Sequence, residues 1–165
     1  MAKLTFAKDE IISPGDLAFW SERDPVSMII QWVTKGKFNH CEVVTSSTTS
    51  IGAKWDGVKE HQFADVPGTI TIYHLDGYDD AQLTEGIAFV RSEVGKGYDF
   101  VDFLLNAWAI FRPQGPFPRT PQKYTCSELV SMYLYTIQYP LFTSYTKEQA
   151  QVTSPNDLAR KLGIT

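Results

Sequence analysis

Short apolar runs separated by turn residues occupy the first half of the chain and predict β-strands. The expected strands are residues 17–20, 39–45, 51–55, 58–63 and 69–75. Asp56-Gly57 is a typical hairpin turn between the third and the fourth of them. This half of the chain therefore predicts an antiparallel sheet or a small barrel.

Helical spacing of apolar residues occurs once in the first half and dominates the second half. Asp24 as N-cap, Pro25 as first residue and Gly36 after the end delimit the first helix. Further helices are expected at residues 83–94, 98–111 and 125–138, and Ser154 caps a last short helix. Residues 112–122 contain four prolines and are expected to form an ordered loop. Strands followed by helices predict an α+β fold, with one domain over residues 1–165.

Composition narrows the class of protein. Hydrophobic residues make up 43% and charged residues 21%, as in soluble globular proteins. The net charge is −4 and no basic stripe is visible, so we expect no nucleic-acid partner. The chain has two cysteines, no apparent signal peptide and no apolar run of membrane-spanning length. A reducing, cytoplasmic location is expected, with export by another route as the alternative.

Cys126 is the first candidate for chemistry. It precedes Leu129, Val130 and Tyr133, which have helical spacing, so it lies in the first turn of a helix. The helix dipole and the free backbone N–H groups there favour a thiolate, and the same groups could stabilise an oxyanion. The alternative is a small buried core residue.

His40 is the second candidate, in the strand Asn39–Val44. Strand alternation places His40 and Glu42 on one face and Cys41 on the other, so Cys41 is expected to be core. A structural histidine is the alternative for His40. His61 and His74 have no companion motif and are expected to be structural or exposed. No metal-ligand spacing, phosphate loop or dinucleotide motif occurs, so no metal or cofactor is expected.

Five segments in this order resemble the papain-like NlpC superfamily, in the circularly permuted branch that contains the YiiX-like hydrolases and lecithin:retinol acyltransferase. They are the Gly-Asp-Leu opening at 14–19, the histidine strand at 39–44, the Tyr-Asp turn at 97–100, the Cys-Ser-Glu-Leu-Val helix at 124–130 and the closing segment at 153–158. In this branch the histidine strand precedes the cysteine helix.

The resemblance implies a permuted papain-like fold, in which a small antiparallel barrel or sheet packs on a helical subdomain. It also implies a cysteine peptidase or amidase, with Cys126 as thiolate nucleophile and His40 as its acid and base. Peptidoglycan peptides and lipid-linked acyl groups are the substrates that the family suggests. An acyltransferase or esterase is therefore one alternative, and a silent binding or structural module of the same fold is another.

The family's third polar residue has no equivalent at the expected place. That place, on the strand after the histidine strand, falls near Gly52, which has no side chain. Glu42, Lys54, His61 or solvent could orient His40 instead, and we include Glu42 in the predicted site because it shares a strand face with His40. An apolar rim at residues 100–117 that binds a membrane surface is a less favoured alternative to a core role for that segment.

Overall fold

The predicted strands pair into one open sheet. The computed structural model describes residues 3–5, 11–65, 67–99, 123–144, 149–150 and 153–164. The strands are β1 (Lys3–Thr5), β2 (Leu17–Ser21), β3 (His40–Val44), β4 (Thr49–Lys54), β5 (Gly57–Gln62) and β6 (Thr69–Tyr73). Their order is β1-β6-β2-β3-β4-β5, and every neighbouring pair is antiparallel except β1–β6. The predicted antiparallel sheet is confirmed, β1 is an addition to it, and the described strands form no closed barrel.

Four helices and a small second sheet complete the described architecture. The helices are α1 (Pro25–Val33), α2 (Asp80–Ser92), α3 (Cys126–Thr136) and α4 (Pro155–Lys161). The second sheet pairs β7 (Gly97–Tyr98) with β8 (Lys123–Tyr124) in parallel. Asp79, Thr125 and Ser154 cap α2, α3 and α4 through their side chains. The α+β class is therefore confirmed.

Several predicted boundaries are wrong in detail. Tyr98 was expected to begin a helix, but it pairs with Tyr124 in the second sheet. The left-handed residue after α1 is Lys35, with φ of 52°, and not Gly36. Gly36 is small because Asn156 packs against it: a Cβ there would lie 2.8 Å from Asn156 Cβ. The rest of the predicted 98–111 helix and the proline-rich loop lie outside the described residues.

The two faces of the sheet bury different groups. α3 packs on β3 and β4, on the face that carries Cys41 and Val43. The opposite face carries a smaller apolar cluster that includes Trp20, Val44 and Phe63. The alternation predicted for β3 is therefore confirmed: Cys41 and Val43 lie on the face toward α3, and His40, Glu42 and Val44 lie on the opposite face.

Candidate active site

Cys126 is the first residue of α3, in the first helical turn as the sequence predicts. Thr125 has extended backbone geometry and caps the helix, and its hydroxyl accepts the N–H of Glu128 at 3.2 Å. The Cys126 side chain is buried, with 6% of the residue exposed. A thiol at this place lies at the positive end of the helix dipole, next to N–H groups that precede the first intrahelical hydrogen bonds.

His40 begins β3, and its ring connects two acidic groups. Nε2 lies 2.6 Å from Glu42 Oε1, a short hydrogen-bonded contact between side chains of the same strand face. The other acidic group is the Cys126 thiol, which lies close enough to influence the pKa of His40 and to have its own pKa influenced in return. Because Nε2 is occupied by the carboxylate, Nδ1 is the ring nitrogen left to exchange a proton with the thiol.

Glu42 is the centre of a polar cluster on this face. Its side chain is fully buried, and Ser50 Oγ donates to Oε2. On the side of Oε1, His61 Nδ1 lies at 3.1 Å and Lys54 Nζ at 3.7 Å. The three side chains that the sequence offered as partners of His40 thus meet, and Glu42 is the one in direct contact with the His40 ring.

The charges in this cluster shift the pKa values of the pair in opposite directions. Burial lowers the pKa of His40, but the charge of Cys126 and hydrogen bonds with Cys126 and Glu42 outweigh it and raise the value to about 9. A hydrogen bond from Cys41 and the positive charge of His40 hold the pKa of Cys126 well below its usual range, against the effect of burial. Both shifts favour a thiolate next to an imidazolium over the neutral pair.

Glu42 stays ionised inside the protein. Burial would raise the pKa of Glu42, but the hydrogen bond from His40, the contact with His61 and the positive charges of His40 and Lys54 bring it well below its usual range. His61 Nδ1 lies close to Oε1 without a well-directed hydrogen bond. His61, expected from the sequence to be structural or exposed, therefore adjoins the predicted site.

Cys41 is closer to the chemistry than the sequence indicated. It is buried, as predicted, on the face opposite Glu42. On that face it adjoins Cys126, and its side chain and backbone help to lower the pKa of the Cys126 thiol. Burial raises the pKa of Cys41 well above the usual value, which favours its protonated form. The alternation of β3 predicted the sheet face on which Cys41 lies. Nothing in the sequence predicted that the start of α3 packs next to Cys41.

Two further residues of the recognised motifs lie near the pair, and one histidine does not. Tyr98 packs against the same core cluster, where burial and the charge of Cys126 raise its pKa. Asp99 is buried, and its N–H donates to Tyr124 O at 3.1 Å, next to the start of α3. His74 instead pairs with Asp16 at 2.9 Å, as a structural histidine would.

Comparison with known proteins assigns the chain to no family, because no protein-family model and no curated protein matches it. Within the described ranges, no group of three or more His, Cys, Asp or Glu side chains is arranged to hold a metal ion. Among the helices of those same ranges, none has the length and apolar character needed to cross a membrane.

Proposed function

We propose that this chain is a cysteine hydrolase of the permuted papain-like type, an amidase or peptidase that works through an acyl-enzyme. Cys126 is the nucleophile, His40 is the acid and base, and Glu42 orients the His40 ring. The observation that carries the proposal is the His40 ring, which lies beside a helix-start thiol and is hydrogen-bonded through Nε2 to a buried carboxylate. The nucleophile, base and orienting group of a catalytic triad have these relations.

The first half-reaction forms a thioester. The Cys126 thiolate attacks the carbonyl carbon of an amide, and the C=O π pair moves onto oxygen. Backbone N–H groups at the start of α3 are the candidates to stabilise that oxyanion. The intermediate collapses as the His40 imidazolium gives its proton to the leaving nitrogen, the C–N bond breaks and the amine departs.

The second half-reaction returns the enzyme to its starting state. Neutral His40 takes a proton from water, and the hydroxide formed attacks the thioester carbon. The C–S bond breaks, which releases the carboxylic acid and restores the thiolate beside the imidazolium. Throughout, Glu42 keeps Nε2 protonated and the ring in place, because a carboxylate at 2.6 Å can only accept.

The substrate class comes from the resemblance rather than from the geometry. Peptide amides of the cell-wall type are our first choice, and acyl esters or lipid-linked acyl groups are the alternative because a thioester forms from either. If an alcohol or amine replaces water in the second half-reaction, the same residues catalyse acyl transfer. A panel of peptide amides and acyl esters, assayed with and without acceptor alcohols, distinguishes the three reactions.

The test is a set of variants assayed on that panel. Cys126→Ala and His40→Ala should each remove most of the activity, and the double variant should lose little more, because the two residues act as a unit. Cys126→Ser should also be poor, since a serine hydroxyl is far less acidic than a thiol. His74→Ala, which removes a histidine outside the pair, is the matched control. Full turnover by His40→Ala on a substrate that requires Cys126 would refute the paired mechanism.

A binding or structural module of the same fold is the second candidate. The observation in its favour is burial, since only 6% of Cys126 and 7% of His40 are exposed. One cleft among the described residues, lined by residues 21–24 and 67–69, includes neither of them. No turnover on any panel member, together with a Cys126 thiol of ordinary acidity, would favour this second function over the first.

A further inference from the structure

Gly52 lies beside the Glu42 side chain on the neighbouring strand. The β3–β4 register pairs Val43 with Ile51 and Val44 with Ser50, so the next residues along, Glu42 and Gly52, also face each other. Both are buried. Position 52 is also near the place where the family resemblance predicts a third polar residue, and glycine offers no side chain there.

The space in front of Gly52 is filled by Glu42. A Cβ built on Gly52 would lie 2.7 Å from Glu42 Cδ and 2.8 Å from Glu42 Oε1, and closer still to Cγ. These separations are shorter than van der Waals contact, so any side chain at position 52 would have to displace the carboxylate. The same numbers show that a side chain from position 52 would point to the place where the carboxylate now lies.

We infer that Gly52 is a positioning residue: its missing side chain lets Glu42 on β3 supply the orienting carboxylate from a place that a side chain on β4 could also reach. This inference rests on the proposed function. It accounts for the missing third polar residue at position 52, because Glu42 on β3 provides a carboxylate that β4 does not.

Ser50 completes this arrangement from the same strand. It is fully buried, lies two residues before Gly52 on the same strand face, and its hydroxyl donates to Glu42 Oε2. The two carboxylate oxygens therefore have different partners: Oε2 accepts from Ser50, and Oε1 is in hydrogen-bond contact with His40. The charged and titratable groups that face Oε1 are His40, His61 and Lys54. Ser50 thus binds Oε2 while Oε1 faces the other three side chains.

The experiment moves the carboxylate between the strands. The variants are Gly52→Ala, Glu42→Ala and the exchange variant Glu42→Ala with Gly52→Asp. The readout is the pH profile of alkylation at Cys126, followed by peptide mapping, together with turnover on the best panel substrate. Aspartate is chosen because its oxygens lie two bonds beyond Cβ, and a Cβ at position 52 already lies 2.8 Å from the present Oε1.

Gly52→Ala and Glu42→Ala should each lower the alkylation rate at mildly acidic pH about tenfold, the equivalent of a thiol pKa raised by one. The exchange variant should recover most of that rate, because it removes the crowding and returns a carboxylate. Ser50→Ala, which adds no bulk, should lower the rate less than either single variant. Gly86→Ala is the matched control for crowding: its Cβ would lie 2.5 Å from Ile137 Cγ2, in the core beneath α2. It should destabilise the protein and leave the alkylation profile unchanged.

The possible results separate this inference from the proposed function. A wild-type Cys126 thiol of ordinary acidity would overturn the proposed function. An activated wild-type thiol whose profile is unchanged in a folded Gly52→Ala protein would overturn the inference alone. So would an exchange variant that folds and stays as slow as Glu42→Ala. If Gly52→Ala does not fold, the exchange variant decides, since it carries alanine at position 42 and leaves no glutamate to be crowded.

Discussion

The two faces of β3 differ in what holds them together. Cys41 and Val43 belong to a continuous apolar core that extends through α3, and this face is held by packing. Glu42, on the other face, is held by hydrogen bonds with His40 and Ser50 and by close contacts with Lys54 and His61. The proposed nucleophile is anchored on the first face and its base on the second. The comparison suggests that the apolar face supplies stability and a fixed position, while the polar face sets protonation.

The largest effect on stability should come from the apolar face. Leu134 lies in α3 and is fully buried in this core, so Leu134→Ala should lower the free energy of unfolding by about 3 kcal/mol. Urea denaturation measures it. Tyr135→Ala, at an exposed position of the same helix, should change stability by less than about 0.5 kcal/mol. The pH profile of the Cys126 thiol should be the same in both variants. A shifted profile in folded Leu134→Ala would contradict the claim that only the polar face sets protonation.

A smaller and pH-dependent loss should follow a change on the polar face. Glu42→Gln removes a charge that accepts hydrogen bonds from several partners, and it should cost about 2 kcal/mol at neutral pH. The pKa of Glu42 is lowered on folding, so its contribution is present above the unfolded value of 4.5 and is lost as the pH falls through the folded value.

The stability difference between wild type and Glu42→Gln should therefore shrink below about pH 4.5. Urea denaturation at a series of pH values measures the difference. Glu85→Gln, a change at an exposed carboxylate of α2, is the control and should show little dependence. A Glu42→Gln difference that stays constant into acid would show that folding does not lower the pKa of this carboxyl group.

The smallest effect should come from Cys41, which lies on the apolar face but touches the nucleophile. Cys41→Ala removes a hydrogen-bond donor to the thiolate, worth about 1 kcal/mol. The pKa of Cys126 should therefore rise, and alkylation at mildly acidic pH should slow about fivefold. Cys41→Ser keeps a donor and should react like the wild type. Equal rates for all three proteins would limit Cys41 to a packing role.

Local signals in the sequence predicted one part of this site, and tertiary contacts determined the rest. The helix with Cys126 in its first turn and the alternation through His40 and Glu42 depend on neighbours within a few residues, so they could be predicted. The meeting of Glu42 with Ser50, His61 and Gly52 depends on the pairing of β3, β4 and β5, which no local pattern specifies.

Errors in the predicted fold have the same origin. Tyr98 was expected to be helical from its neighbours, yet pairing with Tyr124 makes it a strand. Gly36 was interpreted as a helix stop, but its size is required by Asn156 from the far end of the chain. Each of these positions is decided by a residue distant in sequence, which overrides local propensity.

The central claim is that Cys126 and His40 form an ion pair at neutral pH. The most direct test is the ultraviolet absorbance of the Cys126 thiolate as a function of pH, taken as the difference between wild type and Cys126→Ser, which does not depend on access to the buried sulfur. We expect the thiolate signal to persist well below the ordinary thiol pKa of about 8.5, and to move back toward that value in His40→Ala. A wild-type signal that appears only near the ordinary value, or a profile that His40→Ala leaves unchanged, would contradict the ion pair.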